Sequence, residues 1–215
     1  MTTETMNIHK ALSEVKILND RITDKIAETK FCISNKVSNK TINGKSIEEW
    51  KNNVKAAWDS VNTLILRRAA IKRAISKSNA ATMVTIDGKE YSVAEAIEMK
   101  QYGIMYHEEL LRQLTRNFGE ANMNVERINV DADTKATEFA KSCINGKDNS
   151  ASADALKEIE NVRQSYFDSH KAELIDPLDS AKKIEETKTF IDKFKAEVDS
   201  VLSVSNATTE ITIEY

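Results

Sequence analysis

The stretch SNAATMVTIDGKEYS, residues 78–92, decides the fold, because it combines strand and turn signals in a chain whose other long segments have helical patterns. Thr82, Val84 and Ile86 alternate with Met83 and Thr85 in a period-two pattern, which is typical of a strand. Asp87 and Gly88 follow as the residue pair favoured in a tight type I′ turn. The sequence therefore predicts a β-hairpin over about residues 80–91.

A second copy of this pattern lies near the end of the sequence. Residues 203–213, SVSNATTEITI, repeat the pattern and place two isoleucines on one face of a strand predicted over about 207–214. Because a lone strand is unstable in water, we expect this strand to pair with the hairpin. The predicted strand-pairing residues are Thr82, Val84, Ile86, Asp87, Gly88, Ile211, Ile213 and Tyr215. The pattern leaves open whether the pairing is within one chain or with a neighbouring subunit.

Most of the remaining chain has apolar residues at steps of three and four, the period of an amphipathic helix. Ser46 with Glu49, and Ser92 with Glu95, have the spacing of capping boxes at two helix starts. An Asn43-Gly44 pair predicts a further tight turn before the first of them. The predicted helices cover about residues 5–33, 46–77, 92–142, 153–174 and 178–203.

Two segments interrupt the helical pattern in the second half of the chain. Residues 143–150, CINGKDNS, are typical of a helix stop, and Ser152 or Asp154 can cap the next helix. Pro177 lacks the amide that a continuing helix needs. The predicted fold class is mainly α. We expect one elongated domain over 1–215, an antiparallel helical bundle or coiled coil with a small sheet made by the hairpin and the C-terminal strand.

The third predicted helix has the heptad spacing of a supercoiled seam, with two titratable members, Lys100 and His107. We interpret His107 as a polar residue that sets the register between helices, and the alternative is a protonation switch near pH 6. Gly103 and Gly119 each cost about 1 kcal/mol against alanine inside a helix. They predict a bend or break in this helix.

The composition argues against a polyanion-binding protein. The 31 basic and 34 acidic residues give a formal net charge of −3, so no general attraction to nucleic acid or to an anionic membrane is expected. A basic cluster lies at the end of the second helix, at Arg67, Arg68, Lys72, Arg73 and Lys77. Without interleaved aromatic residues it is more typical of an ion-paired or solvated face than of a phosphate-binding surface.

Neither a signal peptide nor a membrane span is predicted. The first residues lack the basic and apolar regions of a signal peptide, and no run approaches the roughly 18 apolar residues of a span. We therefore expect the protein to be made and kept in the cytosol.

The sequence contains no recognisable catalytic or metal-binding motif. His9, His107 and His170 are scattered and have no HExxH or triad-like spacing around them. Cys32 and Cys143 are far apart and lack a CxxC motif, so we predict that they are small buried hydrophobic residues. The sequence predicts no enzyme activity, no cofactor and no metal.

Several segments carry a resemblance to a known family. They are MNIHKALSEVKILNDRI at 6–22, NGKSIEEW at 43–50, RRAAIKRAISKSNAATMVTIDGKEYSVAEAIEMK at 67–100, ELIDPL at 173–178 and SNATTEITIEY at 205–215. The chain resembles an uncharacterised family of virion structural proteins from tailed bacteriophages of Gram-positive bacteria, some of which carry a tail-fibre label. More remotely it is similar to a bacterial family labelled septicolysin.

The resemblance implies a structural component of a phage particle, in the tail, collar or baseplate region, with no catalytic residues to carry over. We expect a homo-oligomer that contacts other virion proteins. An alternative is a cytosolic helical adaptor or regulator that binds a protein partner. A less favoured alternative is a pore-forming protein, which the absence of an apolar hairpin in the sequence argues against.

Overall fold

A computed structural model describes residues 3–143 and 153–215. The fold is mainly α with short antiparallel strand pairs, which confirms the predicted class. The helices are α1 Ile8–Glu28, α2 Ile47–Ala81, α3 Val93–Glu98, α4 Ile104–Ser142, α5 Ala153–His170 and α6 Ser180–Thr208, with a π-helical segment Met99–Gly103 between α3 and α4. The strands are β1 Thr3–Asn7, β2 Thr41–Ile42, β3 Lys45–Ser46, β4 Met83–Ile86, β5 Lys89–Ser92 and β6 Glu210–Glu214.

The chain divides into two compact units. Unit 1 contains Met1–Tyr102 and Lys193–Tyr215, and unit 2 contains Gly103–Asp192. The single domain over 1–215 stays a prediction. Each unit is described separately below.

The C-terminal strand β6 pairs antiparallel with β1, with Met6 opposite Ile211 and Thr5 opposite Thr212. The prediction that it pairs with the hairpin is therefore wrong, and the pairing is within one chain. The helix predicted from about residue 5 begins instead at Ile8, because a strand occupies Thr3–Asn7. Asn7 caps α1 by accepting a hydrogen bond from the Lys10 amide. A five-residue strand that buries one side chain has too short a pattern to detect, and its pairing partner stabilises it.

Both predicted tight turns have the backbone that their sequences favour. Asn43 and Gly44 have φ values of 51° and 78°, and Asp87 and Gly88 have values of 47° and 71°, as a type I′ turn requires at both central residues. The first turn joins β2 and β3, and the second joins β4 and β5. The hairpin predicted over about 80–91 is thus observed as β4 and β5.

A hydrophobic cluster of unit 1 lies between β1, β6, α1 and α2. Its buried members come from all four elements because β6 places alternate side chains against α2 and β1 adds Met6 to the same cluster. They are Met6, Ile8, Ala11, Val15, Leu18, Ile71, Ile75, Ile211 and Ile213. The β4–β5 ribbon buries Ile86, and Tyr91 contacts Phe194 of α6 edge to face at 6.0 Å between ring centroids.

The two related sequence segments form the same local structure. At each, a helix ends and a strand begins: Thr82 donates its amide to Ser78 O at 2.8 Å, and Thr209 donates to Ser205 O at 2.9 Å. The carbonyls of these threonines then accept from the first residue of a following helix, Val93 at 2.9 Å for Thr82 and Ile8 at 3.0 Å for Thr209. The hydrogen bonds around the two junctions are therefore equivalent.

The strand registers and burial extend this equivalence. Thr85 lies opposite Glu90 as Thr212 lies opposite Thr5, and Ser92 and Asn7 are the matching N-caps. Matching residues are buried in both ribbons, namely Ile86 with Ile213, Val93 with Ile8, and Ala96 with Ala11. Unit 1 thus contains two equivalent helix–strand, strand–helix modules. A two-residue turn closes one ribbon, whereas strands from distant parts of the chain form the other.

The π-helical segment Met99–Gly103 interrupts the long helix predicted over 92–142 at one of its two glycines. A π segment is one of the recognised causes of a helix irregularity. The helix stop predicted over 143–150 and the Ser152 cap lie outside the described residues, apart from Cys143 itself.

Unit 2 is held together by α4 and α5. Ala132, Ala136 and Ala140 are buried at successive turns of α4, and their small side chains allow a close approach of α5. At one end of the pair, the side chain of Asn129 both accepts from and donates to the Ala172 backbone. Residues 171–179 contain no helix, which agrees with the break predicted at Pro177.

Cys32 and Cys143 are both exposed free thiols, so the prediction that they are buried is wrong. Cys32 follows the end of α1 in an irregular segment, and Cys143 is the C-cap of α4. Each therefore lies beyond the part of its helix that packs against a neighbour. Residue type alone favoured burial, whereas position at a helix end decided exposure.

Candidate interaction surface

The hairpin turn is attached to α6 by two polar contacts. The Asp87 amide donates to Glu197 Oε2 at 2.8 Å, and the Asp87 carboxylate lies 3.0 Å from Lys193 Nζ. Asp87 and Gly88 are the two central residues of this turn, and both have positive φ. These contacts hold the β4–β5 ribbon at a defined position beside α6.

A groove of about 400 Å³ runs between β4 and the last turns of α6. All of its lining residues are uncharged, and they mix hydroxyl and aliphatic side chains: Thr82, Met83, Val84, Thr85, Ser200, Val201, Val204, Ser205, Thr208 and Thr209. Met83 is 56% exposed and Val204 is 63% exposed, so apolar surface lies open on both walls. The groove therefore offers a strand edge beside a partly apolar helix face.

Ser205 adds a polar group to this groove. Its side chain is only 7% exposed, and Ser205 Oγ has no hydrogen-bond partner among the described residues. A buried hydroxyl without a partner carries a desolvation cost of about 1–3 kcal/mol.

The predicted strand-pairing residues separate into two places. Thr82, Val84, Ile86, Asp87 and Gly88 belong to the hairpin and its groove. Ile211, Ile213 and Tyr215 belong to the β1–β6 ribbon, where the isoleucines lie in the core and are not available for assembly.

Tyr215 takes part in an ionic cluster around Arg67. Arg67 Nη2 lies 2.7 Å from Glu4 Oε2, Arg67 Nε lies 2.5 Å from Glu14 Oε1, and Arg67 Nη1 donates to Tyr215 Oη. The guanidinium carbon also lies 4.7 Å from the centroid of the Tyr215 ring, within the range of a cation–π contact. The hydrogen bond to Glu14, followed by that to Glu4, raises the pKa of Arg67 above its usual value.

Two arginines of the basic cluster at the end of α2 have defined partners. Arg67 is ion-paired and Arg68 donates to Asn19 Oδ1 at 2.5 Å, so both side chains contact α1 or the β1–β6 ribbon. The ion-paired interpretation fits Arg67, whereas Arg68 is hydrogen-bonded to a neutral amide. The sequence pattern around Arg67 predicts the helix α2 but not the tertiary contacts of its side chains. The positions of Glu4 and Glu14 beside Arg67 therefore could not be predicted from the sequence.

The two predicted seam residues lie in different environments. Lys100, in the π-helical segment, forms an ion pair with Asp199 of α6. His107 is half-buried in unit 2 and contacts the Phe190 ring edge to face at 4.9 Å between centroids. Within residues 3–143 and 153–215, no three His, Cys, Asp or Glu side chains are grouped so that they could hold a metal ion.

Sequence reasoning missed three contributors to the candidate surface. Lys193 and Glu197 bind the turn, and Ser205 lines the groove, but α6 showed only helical periodicity. A signal was present for Ser205, since it repeats Ser78 of the first SNA segment. Lys193 and Glu197 are four residues apart, as many surface charges on helices are, and that spacing does not identify a partner.

Comparison with known proteins adds no relative. No protein-family model, curated protein or solved structure matches this chain. Among the described helices, none is both long and apolar enough to cross a membrane. The proposals below therefore depend on the geometry of unit 1 and on the resemblance of the sequence segments given above.

Proposed function

We propose that this chain is a non-enzymatic structural component of a bacteriophage virion, in the tail, collar or baseplate region. It multimerises through strand pairing and helical seams and contacts other virion proteins. The observation that carries the assembly part of the proposal is the uncharged groove beside β4. The resemblance of residues 6–22, 67–100 and 205–215 to phage virion proteins supports the virion part.

Exposed apolar side chains on the helices also support assembly. Large apolar residues exposed on α4 include Met105, Tyr106, Leu110, Met123 and Val130. Scattered exposed apolar residues are common on monomers, but a set along one long helix offers surface that a neighbouring subunit can bury. This is the kind of surface that a helical seam between subunits uses.

Strand pairing suits an assembly protein for a physical reason. Main-chain hydrogen bonds at a strand edge supply adhesion without a requirement for particular side chains, and neighbouring pockets supply specificity. The groove beside β4 combines both features, since α6 forms a wall next to the strand.

The virion assignment is tested on purified particles of the phage that encodes this chain. We expect the chain to be detected by mass spectrometry at a stoichiometry of several copies per particle and to be located by electron microscopy in the tail, collar or baseplate. Sedimentation velocity of the isolated protein should show association that increases with concentration. A chain that is absent from particles and stays monomeric at high concentration would contradict the proposal. Stable capture of one host or phage protein by such a monomer would instead indicate the adaptor.

A further inference from the structure

Among residues 3–143 and 153–215, no other strand pairs with the edge of β4 that faces away from β5. Thr82 O accepts from Val93 N, and the antiparallel register continues with Met83 opposite Ser92 and Val84 opposite Tyr91. Because hydrogen-bonded and non-hydrogen-bonded pairs alternate along an antiparallel ladder, Val84 bonds to β5. Met83 and Thr85 therefore direct their N–H and C=O groups away from β5.

The β4 edge also lacks the charges that discourage edge-to-edge pairing. Its partner β5 carries Lys89 and Glu90, and the equivalent ribbon carries Glu4 on β1 and Glu210 and Glu214 on β6. Charged side chains on a strand edge are a common means of preventing association with another chain. Met83–Ile86 contains none, so this edge can meet a copy of itself without repulsion between like charges.

We infer that β4 pairs antiparallel with β4 of a second copy of this chain, around a two-fold axis at Val84. The inference depends on the self-association in the proposed function and specifies its surface and partner. Met83 of each copy exchanges both hydrogen bonds with Thr85 of the other, because these are the residues whose backbone groups point outward. Val84 then lies opposite Val84 of the second copy in a non-hydrogen-bonded pair.

The polarity of the groove matches that of β4 from a second copy. A second β4 places methionine, valine and threonine side chains against a wall of the same chemical kind, with no charge to desolvate. An isologous contact of this kind produces a closed dimer, a unit from which larger rings can be built.

Disulfide formation between two copies of the chain tests the proposed register. Cys32 and Cys143 are first replaced by serine, since both are exposed thiols. In this background we expect Val84→Cys to give a disulfide-linked dimer of the full chain under mild oxidation, because Cα atoms of a non-hydrogen-bonded pair are about 4.5 Å apart.

Met83→Cys in the same background is the matched control. In the proposed register the two Met83 residues are diagonal neighbours, about 7–8 Å apart, which is too far for a disulfide. We expect at least a tenfold lower yield of linked dimer than for Val84→Cys. Equal yields from both variants, or linkage of Val84→Cys to a different virion protein only, would overturn the inference.

A backbone variant provides an independent measurement if cysteine at Val84 disturbs the hairpin. Thr85→Pro removes an amide that points out of the ribbon, and proline is tolerated at such edge positions. We expect at least a tenfold larger dimer dissociation constant for Thr85→Pro, whereas Thr85→Val, which keeps the amide, should associate like the wild type. Circular dichroism spectra that match the wild type confirm that both variants are folded.

These outcomes separate the inference from the proposed function. Concentration-dependent association that is unchanged in Thr85→Pro, in a chain found in particles, overturns the β4 contact and leaves the virion role in place. Linked Val84→Cys dimers of a chain that is absent from particles overturn the virion role and leave the β4 contact in place.

Discussion

Arg67 shows how a single residue of α2 is connected to three distant parts of unit 1. Its guanidinium contacts Glu4 of β1, Glu14 of α1 and Tyr215, which follows β6. The Arg67 side chain is 18% exposed, so the charges are partly desolvated and the geometry of the contacts matters more than on an open surface. Removal of Arg67 leaves two half-buried carboxylates without their cation.

We predict that Arg67→Ala lowers the free energy of unfolding by about 2 kcal/mol, the order expected for lost hydrogen bonds to charged groups. Urea denaturation measures the change. Arg73→Ala is the matched control, since Arg73 is an exposed arginine on the same helix, and it should change the stability by less than about 0.5 kcal/mol. Equal losses in the two variants would show that the cluster around Arg67 contributes no specific stability.

Glu95 gives a prediction for pH dependence at the residue scale. Its carboxylate accepts from the Ser92 amide at 2.7 Å and from Ser92 Oγ at 2.9 Å. Both hydrogen bonds lower the pKa of Glu95, and the bond from the amide has the larger effect. A lowered pKa means that the stabilisation is complete above the pKa of the unfolded chain, about 4.3, and is lost as the pH falls through the lower folded value.

We therefore expect Glu95→Gln to be less stable than the wild type at pH 7, and we expect the difference to shrink as the pH falls below about 4.3, because protonation of the wild-type carboxyl removes its advantage. Thermal unfolding across this pH range measures the difference. Glu98→Gln, a second exposed glutamate of α3, is the control and should show no such convergence. A stability difference for Glu95→Gln that does not depend on pH would contradict the prediction.

At the scale of elements, the turn between β4 and β5 depends on backbone conformation. Gly88 has φ of +71°, in the left-handed region that side chains disfavour, and a Cβ there would have open space around it. The cost of a substitution at Gly88 is therefore conformational and not a steric clash. Gly119 in α4 also has open space but has no positive φ.

These two glycines predict opposite effects of the same substitution. Gly88→Ala should lower the free energy of unfolding by about 1 kcal/mol, because alanine is strained at this φ. Gly119→Ala should raise it by about 0.5–1 kcal/mol, because alanine reduces the freedom of the unfolded chain in a helical position. Denaturant melts of the two variants measure both changes. If both variants change the free energy of unfolding in the same direction, the positive φ of Gly88 does not determine the effect of the substitution.

The two equivalent ribbons are the main organising feature of unit 1. In each, a helix ends at an SNA segment and a strand begins, and that strand pairs with one that precedes another helix. One ribbon has a covalent turn and a free, uncharged edge. The other has charged residues on both strands and joins segments that are about as far apart in sequence as the chain allows.

At the scale of the whole molecule, we predict that removal of residues 211–215 destabilises unit 1 by several kcal/mol. The truncation leaves β1 without its partner and removes Ile211 and Ile213 from the core, where each fully buried isoleucine contributes roughly 1.5–3 kcal/mol. Thermal unfolding and amide hydrogen exchange of β1 measure the loss. Tyr215→Phe, which removes only the hydroxyl that accepts from Arg67, is the control and should cost about 1 kcal/mol or less. Unchanged melting of the truncated chain would contradict the observed pairing.

The sequence by itself determined most of the local structure. The helices, the capping box at Ser92 and Glu95, and the turns at Asn43-Gly44 and Asp87-Gly88 follow from side-chain chemistry over a few residues. It also showed the repeated SNA segments, although their common structure became visible only in the fold. These features depend on neighbours along the chain, which a sequence pattern contains.

The tertiary structure alone decided which strands pair and which polar groups meet. β1 has a pattern too short to distinguish from the start of α1, so the sequence offers only the hairpin as a partner for β6, whereas β6 pairs with β1. Arg67, Glu4 and Glu14 meet across elements, and Lys193 and Glu197 reach the turn from α6. Pairings between residues up to about 200 positions apart depend on how helices pack in three dimensions, and local periodicity carries no information about that packing.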